Sequence, residues 1–296
     1  MSRKIFRIFA WGGLGDAMLL TPALKAIKET HKNCRIDIFI EKEQKREIYE
    51  NNPFVDNIRR FSFFSNPVTF IRVSLGWTHL HVLKYGRLSP SYNHKRHAMG
   101  ILADMLGVKL TDRRVQIYLT EQEDIAAKKI LSPYRNVIAV HASPKCSDNK
   151  AWRWENWAEL VRCMPQYTFV QLGLAGDDRI EGAVDLRGKT GFRESMAVIK
   201  HSMGFVGVDS SLAHSTNAFS IRGVVLFGPS SPLVWGHDNN INIWKHTRCA
   251  PCIDELMHHA CPYGKLCMES ISVPEVKAAL LSHLGVALED KVIYGS

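Results

Sequence analysis

The chain has 296 residues, 46% hydrophobic and 23% charged, with a formal net charge of +9. This length suits two α/β domains of ordinary size or one large one, and no apolar run approaches the roughly 18 residues of a transmembrane helix. Residues 1–134 hold 22 Lys+Arg against 13 Asp+Glu, while 135–296 hold 16 of each, so the whole basic excess lies in the first half. A solvated basic surface, an anion-facing cleft and a membrane-facing patch are all compatible with that excess. Nucleic acid is disfavoured, because no helix-turn-helix, RRM or finger pattern is present.

In chain order, Met1-Ser-Arg-Lys-Ile runs directly into an apolar strand over 5–10 without the apolar core of a signal peptide, so a cytoplasmic location is expected. Trp11-Gly-Gly-Leu-Gly-Asp16 follows, then a helix over Ala17–Thr30 in which Pro22 predicts an irregular or kinked start. The glycines allow a tight turn and a close substrate, yet Gly12, Gly13 and Gly15 do not fit G-x-G-x-x-G, and there is no P-loop lysine. Asp16 reads equally as an N-cap or as a carboxylate exposed at a sheet edge. A strand over Arg35–Ile40, a helix over Glu43–Asn51 broken by Asn52-Pro53, a strand over Val55–Phe61, a helix over Pro67–Leu75 and a strand over His79–Leu83 come next. A basic, loop-like run from Lys84 and Arg87 to Lys95 and Arg96 leads into a helix over Ala98–Leu106. These four cations are candidates for holding an anionic acceptor, with solvated surface charge as the alternative. Polar Thr120–Lys129 followed by Ser132-Pro133 reads as an interdomain joint.

The second unit begins with a strand over Val137–His141, a loop to Lys150 and a helix over Glu155–Cys163. Strands over Thr168–Gly173 and Val184–Leu186 and a helix over Glu194–Lys200 follow. In Gly204-Phe-Val-Gly-Val-Asp-Ser-Ser-Leu-Ala-His214 a buried strand gives way to a Ser-rich turn and a helix over Leu212–Phe219. Such a turn leaves backbone N–H groups and a positive helix end facing outward, a seat for phosphate flanked by Asp209 and His214. Capping by Asp209 or Ser210 is the alternative. Gly223–Pro232 is another strand ending in a Gly/Pro/Ser turn, and Val184–Thr190 does the same upstream, so three successive strands end in loops able to meet at the carboxyl edge of one parallel sheet. After Pro232 the pattern loosens until an amphipathic helix over Val273–Leu284.

Seven cysteines include Cys249-x-x-Cys252, Cys261 and Cys267, with Cys34, Cys146 and Cys163 scattered. An odd count argues against a disulfide framework. Four thiols within 19 positions suffice for one tetrahedral Zn or Fe site, although the spacing is not that of a standard finger. Reduced buried cysteines or a disulfide remain the alternatives.

Taken together, Gly15-Asp16-x₄-Thr21-Pro22-Ala23-Leu24, His141-Ala-Ser143 with Lys150-x-Trp152, Gly188-Lys-Thr190, Asp209-Ser-Ser-Leu-Ala-His214, Phe227-Gly-Pro229 and the final cysteine run resemble glycosyltransferase family 9, the ADP-heptose:lipopolysaccharide heptosyltransferases and their relatives. The resemblance runs from about residue 5 to 284 and implies an α/β GT-B fold, two Rossmann-like domains facing each other across a cleft. It implies an acceptor-binding domain over 1–131 and a nucleotide-sugar-binding domain over 132–296 that carries the cysteine cluster 249–267. It further implies inverting transfer of a heptose from a nucleotide-activated donor, ADP-heptose in the heptosyltransferases, to an anionic glycolipid or protein acceptor. No cofactor is then required for catalysis, a structural Zn or Fe at the cysteines stays open, and peripheral contact with the inner membrane is compatible with the basic first half. In the family pattern Asp16 is the catalytic base and Lys150 holds the donor phosphates with Ser143, Ser210 and Ser211. Asp209 and His214 lie near the donor sugar, and Glu194 binds the ribose unless the register places Arg193 there. The loop between His141 and Lys150 is longer than in the heptosyltransferases and the first half is shorter, which leaves the acceptor open. Another nucleotide-sugar α/β enzyme, an epimerase or an NAD-dependent oxidoreductase, is the competing reading; the missing third glycine and the lack of a Tyr-x-x-x-Lys pair count against it.

Overall fold

The computed structural model describes residues 3–10, 12–61, 67, 68, 71, 81–83 and 95–285. Strands β1 (Lys4–Ala10), β2 (Cys34–Ile40), β3 (Asn57–Arg60) and β4 (His81–Leu83) form a parallel sheet in the order β3-β2-β1-β4. Strands β5 (Val137–His141), β6 (Thr168–Gln171), β7 (Val184–Asp185), β8 (Gly204–Val208), β9 (Gly223–Phe227) and β10 (Asn240–Trp244) form a second parallel sheet, ordered β10-β9-β8-β5-β6-β7. In each sheet the chain starts inside, works to one edge and crosses back. The order therefore reverses between β1 and β4 in the first sheet and between β5 and β8 in the second. Loops leaving the carboxyl ends at such a reversal diverge and open a crevice. The two reversals place 12–16, 142–150 and 209–213 at crevices.

The helices are α1 (Leu14–Thr30), α2 (Arg46–Tyr49), α3 (Ala98–Met105), α4 (Glu121–Leu131), α5 (Trp154–Arg162), α6 (Phe192–Lys200), α7 (His214–Ala218), α8 (Pro232–Trp235), α9 (Ile253–Leu256), α10 (Leu266–Glu269) and α11 (Val273–His283). Every residue of β5, β8 and β9 is buried, as expected for inner parallel strands covered on both faces. One hydrophobic core spans the α1 side of the first sheet and continues through Val137, Met196, Phe205 and Phe227. A second, built on Trp152, Trp157, Phe169 and Leu280, fills the other face of the six-stranded sheet.

Several expectations change. α1 begins at Leu14 and runs unbroken through Pro22. The carbonyl of Met18, which Pro22 cannot pair, instead accepts from the Thr21 hydroxyl at 2.7 Å. The expected helix over Glu43–Asn51 begins as a 3₁₀ turn at Glu43–Lys45 and continues only to Tyr49. The polar joint is helical: Thr120 and Glu123 form a reciprocal capping box at the start of α4, which packs on α6 of the second half. Asn240–Trp244, where the pattern loosens, is an edge strand whose Ile241 and Ile243 alternate with asparagines. α7 is confined to five residues, preceded by tight i→i−3 turns from Ala213, His214 and Ser215. Its Ser, Thr and Asn residues are weak helix formers that bond sideways, as Asn217 does in accepting from the Val115 amide at 2.7 Å. The expected helix over Pro67–Leu75 and the run 84–94 lie largely or wholly outside the described residues.

Candidate active site

At the β5/β8 reversal two chemically opposite side chains meet. Lys150 ends the loop after β5, and Asp209 begins the turn after β8. The Lys150 ammonium donates to Asp209 Oδ2 at 2.6 Å, and the Ser230 hydroxyl donates to the same oxygen at 2.6 Å. Burial alone would push Lys150 down and Asp209 up. Each is moved the other way by its partner's charge, so Lys150 is held above and Asp209 below its ordinary range. Ser143 is buried on the same loop. Ser210 bonds His141 Nδ1 at 3.0 Å. No acceptor among the described residues takes up the N–H groups of Ser210, Ser211 and Leu212. The phosphate seat expected at a helix end is thus a run of backbone amides ahead of a one-turn helix, backed by a buried ammonium.

The first half reaches this seat through α1. A Cβ placed on Gly15 would stand 3.1 Å from His214 Nε2 and 3.8 Å from Ser211 Cα, so the helix start comes close to the second half and a side chain there would crowd His214. Asp16 is half-buried, and its Oδ2 accepts from the Gly13 amide. Gly12, at φ +117°, accommodates the carboxylate, since a Cβ there would fall 2.1 Å from Asp16 Oδ2. The capping alternative for Asp16 is therefore realised, in the first turn of the helix whose Gly15 approaches His214. His214 is buried and bonded to His237 at 2.8 Å.

The remaining candidates are more dispersed. Glu194 caps α6 by accepting from the Gly191 amide at 2.8 Å. α6 follows β7, which lies at the sheet edge with β5 and β6 between it and β8. The three-loop convergence is corrected accordingly: the loop after β5 meets those after β8 and β9, and the 186–190 turn lies outside that meeting. Arg193 points elsewhere, forming a forked ion pair with Glu123 and donating to Glu47 O at 2.6 Å and Tyr118 O at 2.7 Å. Lys84 and Arg87 lie outside the described residues. Lys95 is exposed, and the exposed Arg96 pairs with Asp104.

Cys249, Cys252, Cys261 and Cys267 are unpaired thiols. Burial pushes Cys252 up to about 11, and the other three thiols add to that shift, so the sulfurs share one neighbourhood. Among the described residues, however, no three His, Cys, Asp or Glu form a group able to hold a metal ion. Each cysteine has its own local setting. Cys252 precedes α9, Cys267 lies within α10, Cys249 bonds Thr247, and the Cys261 amide is held by Asn149 at 3.1 Å. Asn149 also donates to Leu256 O and His259 O at 2.9 Å, so the segment braces the loop that carries Lys150. Loop and segment together wall a cavity of about 530 Å³.

Sequence reasoning missed Ser230, His97 and His237 and the contact His141 makes. Ser230 was visible as part of a Gly-Pro-Ser-Ser turn, but no periodicity links His237 to a partner 23 positions away.

Two parallel α/β units with crevices at their order reversals are the arrangement of the GT-B fold. The sequence profile of glycosyltransferase family 9 (heptosyltransferase) matches residues 87–261, more than half of the chain, and the chain belongs to that family. No curated protein sequence matches the chain significantly. Among solved structures, a family 9 glycosyl transferase from Veillonella parvula superposes with a TM-score of 0.72 at 18% identity, over 96% of this chain and 98% of that one. The E. coli ADP-heptose lps heptosyltransferase II gives 0.71 at 17% identity, over 95% and 98%. The iron-containing dodecameric glycosyltransferase TibC from enterotoxigenic E. coli gives 0.72 at 17% identity, over 95% and 76%. At these identities the likeness is one of fold. Among the described residues no helix is long and apolar enough to cross a membrane.

Proposed function

We propose that the chain is an inverting transferase that moves a heptose from ADP-heptose to an anionic acceptor such as lipopolysaccharide core. The observation carrying this reading is the approach of the Asp16-bearing helix to Ser211 and His214 at the crevice holding Lys150 and Asp209. Structures of similar fold, E. coli WaaC with ADP and TibC with ADP-D-β-D-heptose, support an adenosine diphosphate donor. In this reading residues 1–131 take the acceptor, whose charge Lys84, Arg87, Lys95 and Arg96 hold, and residues 132–296 take the donor. The basic first half also suits peripheral contact with an anionic inner-membrane surface.

The chemistry follows from the groups present. Asp16 accepts the proton of the acceptor hydroxyl as that oxygen attacks the anomeric carbon from the face opposite the diphosphate. The bond to the diphosphate breaks, and its growing charge falls on the Lys150 ammonium and the amides of 210–212, with Ser143 beside them. Asp209 holds the ammonium in place and keeps it charged. Glu194 takes the ribose.

A thermal-shift panel of ADP-heptose, UDP-sugars and GDP-sugars, followed by mass spectrometry of lipid and polypeptide products, tests the reading. Stabilisation by ADP-heptose alone, and a product heavier by one heptose, are expected. Asp16→Ala lowers turnover by at least about a hundredfold with ADP affinity nearly unchanged. Unchanged turnover in that variant removes the assigned base, and a response to UDP- or GDP-sugars instead removes the assigned donor. A heptosylated polypeptide in place of a glycolipid replaces the acceptor.

A further inference from the structure

The imidazole facing the α1 helix has its proton position decided one residue deeper. His214 Nδ1 lies 2.8 Å from His237 Nε2, with the two rings edge-on at 89°. That contact leaves His214 Nε2 as the nitrogen nearest Gly15. Both rings are buried, at 4% and 5% exposure, and burial keeps each below the ordinary histidine range, so each ring carries a single proton at neutral pH.

Two arrangements satisfy the contact. Either His214 Nδ1–H donates and His237 carries its proton on Nδ1, or His237 Nε2–H donates and His214 carries its proton on Nε2. Among the described residues His237 Nδ1 has no hydrogen-bond partner. The first arrangement would leave the His237 Nδ1–H without a protein acceptor, whereas the second leaves only a lone pair without a donor, the cheaper of the two. The first would also aim a lone pair at the space assigned to an anionic ligand. Neighbouring His97 has a defined tautomer: its Nδ1 accepts from the Met99 amide at 3.2 Å, so its Nε2–H donates to Gly236 O at 2.7 Å. The His97 ring lies 5.8 Å from that of His237.

We propose that His237 is a positioning residue that holds His214 as the Nε2–H tautomer, so that His214 presents a hydrogen-bond donor to the nucleoside diphosphate-sugar beside the Asp16 helix. The proposal rests on the donor site assigned above. His214 transfers no proton; it donates a hydrogen bond that strengthens as charge grows on the departing diphosphate.

The test uses ¹⁵N-histidine-labelled full-length protein and long-range ¹H–¹⁵N spectra at neutral pH, with His214→Gln assigning the resonance. Wild type should show His214 protonated on Nε2 and bare on Nδ1. His237→Gln, whose side-chain amide can donate in place of the imidazole, should keep that pattern and a kcat within a few-fold of wild type. His237→Leu should lose the pattern and more than tenfold in kcat, with ADP affinity changed only a few-fold. A wild-type His214 protonated on Nδ1, or equal kcat in the Leu and Gln variants, overturns the proposal. Should His237→Leu fail to fold, the wild-type and His237→Gln spectra decide. Absence of transfer from ADP-heptose in every protein overturns the donor reading instead, and the spectra still decide the tautomer.

Discussion

At the scale of single residues, the crevice is built from groups that burial would ordinarily discharge. Lys150 and Asp209 remain charged because they face each other at 2.6 Å, whereas His141 and His214 have no such partner and burial pushes both down to about 4. An unfolded chain binds protons at these histidines near the ordinary 6.5, before the folded chain does. Stability should be flat above about pH 7 and fall as pH drops from about 6.5 toward 4, by about 3 kcal/mol for each fully shifted histidine. Urea unfolding across that range checks the sign. His214→Gln should make the fall shallower, and a midpoint unchanged between pH 7 and 5 would contradict the buried neutral state. The pairing of Lys150 with Asp209 was not legible in the sequence. Fifty-nine positions separate them, and only adjacent β5 and β8 bring their loops together.

At the scale of one element, α1 shows why a proline is tolerated inside a helix. Thr21, fully buried, donates to the carbonyl that Pro22 leaves unpaired and accepts from the Gln116 amide at 2.8 Å. One hydroxyl thus satisfies two backbone groups on two segments. Thr21→Val keeps the shape and removes both bonds, and should cost about 2 kcal/mol in chemical denaturation. A loss below about 0.5 kcal/mol would show that relaxation or water replaces the hydroxyl. Thr21-Pro22 was legible as a motif, but its reason was not. The kink expected from Pro22 alone omitted the hydroxyl one residue before it.

At the scale of the molecule, the halves are joined through Arg193. This α6 residue is 7% exposed; it pairs with Glu123 of α4 and donates to backbone carbonyls of Glu47 and Tyr118 in the first half. Burial would raise Glu123, yet Arg193 holds its carboxyl below the ordinary range. Arg193→Met leaves that carboxylate with only its Thr120 bonds and no cation, removes the donor to two carbonyls, and should cost about 3 kcal/mol and lower Tm by several degrees. If α6 also sets the distance between the crevices, transfer should fall more than ADP binding does. Equal stability and activity would show that the packing of α4 on α6 suffices.

The sequence by itself determined the alternation of buried strands and helices, the two α/β units, and the glycine, serine and charged residues at strand ends. These follow from periodicity and turn chemistry, which act over a few residues. The order of strands within each sheet was decided only in three dimensions, because parallel pairing joins segments far apart in the chain. That order places Asp209 against Lys150, moves the 186–190 turn to the sheet edge, and sets His237 behind His214. It also made the polar joint a capped helix packed on α6, and set the backbone of the cysteine-bearing segment against Asn149 of the loop that carries Lys150.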